Sequence, residues 1–266
     1  MMDIIPKKIH YVWVGNKPKP QFVLDCISSW EKHFPDYEII EWNNEKFKTI
    51  SNKYAEEAFA NKKWAFVSDY IRLYALYHEG GIYLDTDVEV INNFDRFMNL
   101  DFFSCHEFYN NNCWPITSAV MGAKKNSRII GELINIYDKI SFKTKQGLDL
   151  TANTQRITKY LESRFNIQPE YDKDSTLKLS NTEIIFPSHY FCISEEDKIN
   201  FSIHHFSGSW LPSHSRKDKI NIFNKIILSR FIKISNFGEM PLQDNEKIVF
   251  RMKLSKNKKY IILFRK

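Results

Sequence analysis

Two acidic residues one position apart, Asp85 and Asp87, follow a short apolar segment over residues 82–84 that a Gly-Gly pair precedes. Carboxylates this close repel each other unless a cation or a protein charge neutralises them. A hard divalent ion with oxygen ligands, Mg²⁺ or Mn²⁺, meets that need and also bridges phosphate groups. The alternative is a solvated turn whose acids face water. The pattern predicts a metal site if the segment before Asp85 forms a strand that holds both carboxylates at its end.

The triplet alone is weak evidence, because matches to so short a motif arise by chance. A second one, Asp172-Lys173-Asp174, occurs in a polar segment with no strand before it. We interpret that second triplet as a chance match. The apolar strand and the Gly-Gly turn before Asp85 are what distinguish the first triplet.

Asp69 and Arg72 are a second pair that could serve a ligand site. Their i, i+3 spacing makes them neighbours on one face of a helix. Taken alone, that spacing favours an ordinary surface ion pair, which stabilises a protein little.

The elements that must position these residues follow a β-α-β order. Segments 8–14 and 37–42 are rich in β-branched and aromatic residues, and residues 20–34 between them have apolar residues at helical spacing. Such a unit predicts a parallel sheet. Residues 64–78 are helical in pattern and end at a Gly-Gly pair, after which 82–84 reads as a short strand. Open α/β sheets bind ligands outside the carboxyl ends of their strands, and both acids lie there.

The rest of the chain predicts one main domain, residues 1–212, and a basic extension, residues 213–266, that packs on that domain or continues it. Residues 126–165 look helical. Residues 213–236 alternate basic and apolar residues. We interpret them as a packed helix with a solvated face or, alternatively, as a basic amphipathic helix on anionic lipid. Residues 247–264 predict two strands.

The composition is typical of a globular protein, with 43% hydrophobic and 26% charged residues. The net charge of +6 predicts a lysine-rich surface or an attraction to a diphosphate, an anionic membrane or a nucleic acid. None of the four cysteines forms a C-x-x-C pair, which disfavours a zinc knuckle, and reduced thiols are expected. No apolar stretch approaches a membrane span and no secretory signal is apparent. We expect a cytoplasmic protein whose membrane contact, if any, is peripheral.

Three blocks of the sequence resemble glycosyltransferase family 32. The block AFVSDYIRLYALYHEGGIYLDTDVEV, residues 65–90, is similar to the D-x-D sugar-binding region of that family. The block IPKKIHYVWVGNKPKP, residues 5–20, resembles its opening strand, and IHHFSGSW, residues 203–210, its closing motif. The family includes bacterial capsular and lipopolysaccharide transferases and is related to the clostridial glucosylating toxins. The three blocks occur in the family's order, which makes the match specific.

This resemblance implies an α/β fold of the GT-A type, Rossmann-like, with a mostly parallel sheet. It implies a nucleotide-sugar donor, with a UDP-sugar favoured, a Mn²⁺ or Mg²⁺ ion, and retention of anomeric configuration. The expected reaction moves a hexose or N-acetylhexosamine to a glycan or lipid-linked glycan in bacterial surface polysaccharide synthesis. Such an acceptor places the protein at the inner face of the cytoplasmic membrane.

The resemblance also implies roles for matched positions. Trp13 matches the aromatic residue that stacks on the donor base, and Asp69 and Arg72 match the pair that holds the hydroxyls of the transferred sugar. Asp85 matches the acid that reaches ribose and sugar and contacts the metal through water, and Asp87 matches the direct metal ligand. The predicted donor site also includes Tyr11, Val12 and Tyr83.

In the closing motif, His204 or His205 is expected to complete the metal shell, since only one of two adjacent strand residues can face the site. Ser209 and Trp210 match the loop residues that close on the diphosphate. The predicted catalytic residues are therefore Asp85, Asp87 and Trp210.

The acceptor loop is predicted over residues 104–118, with His106 and Glu107 as candidate contacts. Near residue 155 the family often has Gly-Pro, but this chain has Asn153-Thr154, so no site is predicted there.

Two other functional classes remain open. In a metal-dependent phosphohydrolase an Asp acts as nucleophile and phosphoesters are hydrolysed. A non-catalytic basic protein would bind oligonucleotides with a strong salt dependence. No basic cluster or nucleic-acid motif is apparent in the sequence, so we expect no nucleic-acid partner. The sequence leaves the oligomeric state open.

Overall fold

A computed structural model describes residues 4–207, 216–222, 225–231, 246–255 and 258–265. Contacts within the chain divide it into two units, Met1–Phe206 and Ser207–Lys266. The sequence predicted an extension from residue 213, and its packing on the first unit stays a prediction.

The first unit alternates strands and helices. Its strands are β1 (Lys8–Val12), β2 (Glu38–Trp42), β3 (Gly81–Leu84), β4 (Val88–Val90), β5 (Phe102–Cys105), β6 (Glu107–Tyr109), β7 (Asn112–Trp114), β8 (Val120–Ala123), β9 (Lys143–Thr144), β10 (Gly147–Leu148), β11 (Leu177–Lys178), β12 (Glu183–Phe186) and β13 (Ser202–His204). Its helices are α1 (Gln21–His33), α2 (Asn44–Phe47), α3 (Lys53–Ala60), α4 (Trp64–Glu79), α5 (Arg128–Asp138), α6 (Asn153–Phe165) and α7 (Ser188–Phe191), with a 3₁₀ turn at Asp95–Phe97.

Seven of these strands form the central sheet, in the order β11-β12-β5-β8-β3-β1-β2. β1 lies parallel to both β2 and β3, and β12 lies parallel to β5. β8 runs antiparallel to both of its neighbours, and β11 runs antiparallel to β12. Five of the seven strands therefore share one direction. The predicted α/β architecture with a mostly parallel sheet is confirmed.

Both faces of this sheet are covered, as expected for parallel strands. Successive residues of β3 point to opposite faces. Tyr83 packs in a cluster with residues of α3, α4 and α5, whereas Ile82 and Leu84 pack in a second cluster with residues of α1 and α7. The strand that ends at the two acids is thus held from both sides.

The predicted first strands and helices are present close to their expected bounds. The predicted helical stretch 126–165 is instead two helices, α5 and α6, separated by the short hairpin of β9 and β10. Gly147 in this hairpin has φ +121°, a conformation that favours glycine and interrupts a helix.

The second unit is a four-stranded antiparallel sheet within its described residues. Its strands are β14 (Arg216–Ile222), β15 (Ile226–Phe231), β16 (Glu246–Ser255) and β17 (Lys258–Arg265), in the order β14-β15-β17-β16. The two strands predicted over 247–264 are confirmed. The helix predicted within 213–236 is wrong for the described residues of that segment, which form β14 and β15. Isoleucine, which occurs twice in each of these two strands, favours strands. Among the helices described in either unit, none has the length and apolar character needed to cross a membrane.

Candidate active site

The two acids of the first triplet are held in a tight turn after β3. The main-chain N–H of Asp85 donates to the carbonyl of Ala119 at 2.8 Å, and the carbonyl of Asp85 accepts from the N–H of Val88 at 3.0 Å. The turn before β3 needs glycine. Gly81 has φ +110°, and a Cβ there would lie 2.7 Å from the main-chain oxygen of Lys8 on β1. The Gly-Gly pair therefore lets α4 end and β3 lie against β1.

Arg72 on α4 links the predicted ligand-site acids. Its Nη2 donates to Asp69 Oδ1 at 2.9 Å, and its Nη1 lies 3.3 Å from Asp85 Oδ2. Its remaining contacts are to the carbonyl of Ser118 and to the carbonyl and hydroxyl oxygens of Ser68. The five N–H groups of the guanidinium are thus directed at protein acceptors. In this conformation Arg72 positions the two acids rather than offering a free donor to a sugar.

The two acids beside Arg72 are affected differently by their surroundings: burial shifts the pKa of Asp69, and a hydrogen bond orients Asp85. Burial raises the pKa of Asp69 to about 6, although Arg72 opposes the shift. Tyr83 donates its hydroxyl proton to Asp85 Oδ1 at 2.7 Å, and the Arg72 guanidinium lies 4.6 Å from the centre of the Tyr83 ring. Because Tyr83 is buried, its place is behind Asp85, which it orients, rather than at the surface where the predicted donor contact would lie.

A histidine from the end of the first unit joins the two acids. β13 pairs with β4, opposing His204 to Val88, and His204 Nε2 lies 3.5 Å from Asp87 Oδ1. Asp85, Asp87 and His204 each offer one ligand atom, and these atoms lie within 4.8 Å of one another. Burial lowers the pKa of His204, but Asp87 and Cys192 outweigh it and hold that pKa well above its usual value.

These three residues fit a divalent cation of the kind the sequence predicted. Two carboxylates and an imidazole form a donor set that Mn²⁺ accepts. His204 Nε2, which lies 3.5 Å from Asp87 Oδ1, is the ring nitrogen that could bind the ion.

His205 lies elsewhere. Its Nε2 lies 2.9 Å from Glu89 Oε2, and its ring packs edge-on against Phe22 at 5.2 Å. Only its main-chain N–H reaches the turn, donating to the carbonyl of Asp87 at 3.0 Å. The structure thus brings His204 rather than His205 to the acids.

The residues predicted to meet the donor base differ in exposure. Tyr11 and Val12 are buried, and the Tyr11 hydroxyl donates to Glu41 Oε2 at 2.7 Å. Trp13 is partly exposed, and its Nε1–H donates to the carbonyl of Lys17 at 2.9 Å. Of these three, Trp13 is the one whose side chain is partly exposed, and its stacking on a base stays a prediction.

The predicted acceptor loop contains the β6–β7 hairpin. His106 is buried, its Nδ1 lies 3.3 Å from the carbonyl of Trp114, and its Nε2 lies 3.3 Å from the Ser175 hydroxyl. Burial lowers its pKa, which keeps the ring neutral. This arrangement argues against the predicted acceptor contact and makes His106 a structural residue.

Glu107, the other candidate in this loop, is partly exposed and accepts from the Thr117 hydroxyl at 3.2 Å and the Thr154 hydroxyl at 3.4 Å. Burial raises its pKa to about 7. Sequence reasoning assigned no site at Thr154, at the start of α6. No local pattern marks it, because the contact joins segments far apart in the chain.

The second acidic triplet is part of an ion-pair network. Lys198 Nζ lies 2.6 Å from Asp174 Oδ1, and Lys173 Nζ lies 3.1 Å from Asp174 Oδ2. Both lysines also contact Glu195, which with His189 lies near Asp174. Since two ammonium groups neutralise these carboxylates, they need no metal ion, in agreement with the interpretation as a chance match.

Ser209 and Trp210, predicted to close on the diphosphate, lie outside the described residues. Their roles stay predictions.

Comparisons with known proteins match the central part of the chain. Residues 20–103 match the family described as glycosyltransferase sugar-binding region containing DXD motif. Subversion of eukaryotic traffic protein A of Legionella pneumophila subsp. pneumophila is 32% identical over a segment covering 32% of this chain and 17% of that protein. The chain thus spans less than a fifth of the length of this relative.

Two of the solved structures that resemble this chain are glycosyltransferase domains. PaToxG glycosyltransferase superposes with a TM-score of 0.50 and 21% identity, covering 62% of this chain and 71% of that one. The UDP-bound glycosyltransferase domain of the YGT toxin superposes with a TM-score of 0.35 and 12% identity, covering 62% and 69%. The first of these similarities supports the fold. The resemblance drawn from the sequence is confirmed in this part of the chain: the fold is of the GT-A type, and residues 20–103 match the sugar-binding region with the DXD motif.

Proposed function

We propose that this protein is a metal-dependent glycosyltransferase that moves a hexose or N-acetylhexosamine from a UDP-sugar with retention of configuration. The observation that carries the proposal is the cluster of Asp85, Asp87 and His204 at the carboxyl end of β3, with ligand atoms within 4.8 Å of one another. Two of the three residues lie inside the matched sugar-binding region. This edge of the sheet is where the architecture binds nucleotides.

Asp85, Asp87 and His204 would hold Mn²⁺ or Mg²⁺. When bound, the cation would stabilise the negative charge of the diphosphate leaving group. The chain's own residues preorganise this site: Arg72 and Tyr83 fix the Asp85 carboxylate, so little reorganisation is needed when the donor binds.

The remaining donor contacts are proposed from position. The partly exposed Trp13 stacks on the base, and Asp69, held by Arg72, accepts from hydroxyls of the transferred sugar. Ser209 and Trp210 close on the diphosphate and exclude water that would hydrolyse the donor.

The acceptor has two candidates. From the sequence we expect a glycan or lipid-linked glycan of a bacterial surface polysaccharide. The relative named for subversion of eukaryotic traffic favours a second one, a protein of another cell. Transfer of labelled sugar to isolated glycans or to eukaryotic cell proteins, compared in parallel, separates the two.

A thermal-shift panel of UDP- and GDP-sugars, with and without Mn²⁺, tests the proposed donor site. A ligand that binds only the folded state raises its stability, so we expect a UDP-sugar to raise the unfolding temperature in the presence of Mn²⁺. Asp87→Asn should remove this rise and abolish transfer while leaving the fold intact. Asp174→Asn, in the second triplet, is the matched control and should retain both.

Several results would contradict the proposal. An unchanged unfolding temperature with every activated sugar and either cation would remove the donor site. Near-normal transfer by Asp87→Asn would remove the metal-ligand role. Rapid hydrolysis of simple phosphoesters would favour the phosphohydrolase instead.

A further inference from the structure

The net positive charge of the chain comes from the second unit. Residues 207–266 contain 14 Lys and Arg against four Asp and Glu, a formal charge of +10, which leaves −4 for residues 1–206. Ten of the 14 basic residues lie on the four strands of this unit, together with two acids. The whole-chain value of +6 hides this separation because it averages two units of opposite sign.

The same sheet exposes large apolar side chains. Ile222, Ile226 and Phe264 are 46%, 45% and 41% exposed. The register opposes Ile222 to Ile226 and Ile226 to Phe264. Residues directly opposite each other on antiparallel strands project from the same face. We call these three residues, which cross β14, β15 and β17, the exposed row. Val249, in an irregular stretch of β16, is a further exposed apolar residue, at 64%.

We propose that the face carrying the exposed row docks on an anionic lipid bilayer. A bilayer surface combines negative headgroups with an apolar layer directly beneath them. The basic residues of the strands would be attracted to the headgroups, while Ile222, Ile226 and Phe264 would enter the acyl boundary. A basic sheet would then serve the function that one of the two interpretations of the sequence gave to an amphipathic helix.

Two other partners match these observations less well. The phosphates of a nucleic acid would use the positive charge, but they offer no partner to exposed isoleucines. Binding to single strands relies on aromatic stacking, and Phe264 is the one aromatic residue of the row. A second copy of the chain would cover the row but would bring two units of +10 together, and like charges repel.

Flotation of the full-length chain with phosphatidylcholine vesicles, with and without phosphatidylserine, tests this proposal. We expect binding to the mixed vesicles alone, and a decrease with added salt, because salt screens surface charge. The pair Ile222→Ser with Phe264→Ser should lower the partition coefficient at least about tenfold, because buried isoleucine and phenylalanine contribute strongly. Leu150→Ser, at a residue 55% exposed in the first unit, is the matched control and should retain binding.

A charge reversal provides a second variant. Lys225 is exposed in the turn between β14 and β15, beside the row. Lys225→Glu should weaken vesicle binding more than about tenfold, since each charge near an anionic surface contributes about fivefold. Lys145→Glu, at an exposed residue of the first unit, changes the net charge equally and should have a much smaller effect.

The outcomes separate docking by this face from its alternatives. Absence of binding to the mixed vesicles, or equal losses in Lys225→Glu and Lys145→Glu, would overturn the proposal. Tighter binding to an oligonucleotide than to vesicles, unaffected by the row substitutions, would assign the face to nucleic acid. A dimer in ultracentrifugation that the row substitutions dissociate, with vesicle binding unchanged, would assign it to a second copy. The unfolding temperatures of all variants are compared first. If the variant with Ile222→Ser and Phe264→Ser is unfolded, vesicle binding by Lys225→Glu tests the proposal instead.

Discussion

His204 and His205 are adjacent in sequence but contact different acids. His204 Nε2 lies 3.5 Å from Asp87 Oδ1, whereas His205 Nε2 lies 2.9 Å from Glu89 Oε2. We expect His204→Ala to weaken Mn²⁺ binding at least about tenfold, since loss of even an outer-shell partner of a metal costs that much. His205→Ala should change it less than about threefold. Electron paramagnetic resonance titration of Mn²⁺ with the donor present measures both.

The proton on His204 provides an independent check of the same assignment. An imidazole must be neutral to bind a metal, and Asp87 and Cys192 raise the pKa of His204 despite its burial. Mn²⁺ affinity should therefore increase with pH in the natural protein, and less steeply in His204→Ala. Equal slopes in the two proteins, or a larger loss in His205→Ala, would contradict the assignment.

Glu107 gives a pH-dependent stability prediction. Burial raises its pKa from the usual 4.5 to about 7. An acid whose pKa is higher in the folded state binds more protons folded than unfolded, so its contribution to stability falls as pH rises through this interval. Glu107→Gln cannot ionise. The difference in unfolding free energy between the variant and the natural protein should therefore change with pH. Between about pH 5 and about pH 8 it should shift by about 2 kcal/mol in favour of the variant, a value already reduced to allow for the partial exposure of Glu107.

Urea titrations of both proteins at several pH values measure this difference. Thr117→Val removes a hydroxyl that donates to this carboxylate and lowers its pKa, so this variant should change in the opposite direction and lose stability more steeply than the natural protein as pH rises. A difference between Glu107→Gln and the natural protein that does not grow with pH would show that Glu107 ionises normally.

At the residue scale, the sequence identified Asp85 and Asp87 because their signal is local: an apolar strand, a glycine pair before it and acids at its carboxyl end. The choice between His204 and His205 depends on which strand β13 joins. The contact of Thr154 with Glu107 depends on where α6 begins relative to β6. Pairings between distant segments are not encoded in residue types, so neither could be predicted.

The position of β3, the strand that precedes the two acids, depends on Gly81. Gly81 and Gly147 have similar backbone conformations, with φ +110° and +121°, but differ in surroundings. A Cβ on Gly81 would lie 2.7 Å from the main-chain oxygen of Lys8, whereas no described residue other than its chain neighbours lies within 4 Å of a Cβ on Gly147. Gly147→Ala should cost about 1 kcal/mol from backbone strain alone.

Gly81→Ala should cost at least about 2 kcal/mol more, because the clash is with main chain and no side-chain rotation relieves it. Urea midpoints with an unchanged dependence on denaturant measure both losses. The Gly81 variant should also lose the Mn²⁺-dependent thermal shift, since β3 must move away from β1. Equal losses in the two variants would mean that the space around Gly81 is not what requires glycine.

Apolar periodicity predicted the order of strands and helices in the first half of the chain. The helices α1 and α4 are long enough to show a clear period, and glycines mark the boundary between α4 and β3. The second unit was mistaken for a helix over 213–236. The described residues of this segment form β14 and β15, in agreement with the preference of isoleucine for strands. Basic residues among apolar ones occur in amphipathic helices and in strands alike, so this composition does not distinguish the two structures.

At the scale of the whole molecule, the two proposed tasks use different units. The described residues of the proposed donor site lie within Met1–Phe206, and the exposed row lies within Ser207–Lys266. The units also differ in charge sign, −4 against +10, which suits one to binding a cation and the other to binding an anionic surface. A variant in one unit should therefore spare the task of the other.

Asp87→Asn and Phe264→Ser, studied side by side, test this division. Asp87→Asn should lose the thermal shift produced by UDP-sugar with Mn²⁺ but should float with anionic vesicles as the natural protein does. Phe264→Ser should behave in the opposite way, with a reduced partition coefficient and an unchanged thermal shift, because a soluble donor needs no membrane. Both measurements use one preparation of each variant, so a folding defect would appear as a lowered unfolding temperature before any ligand is added. If either well-folded variant loses both properties, donor binding and membrane docking share residues, and the separation of tasks between the units is incorrect.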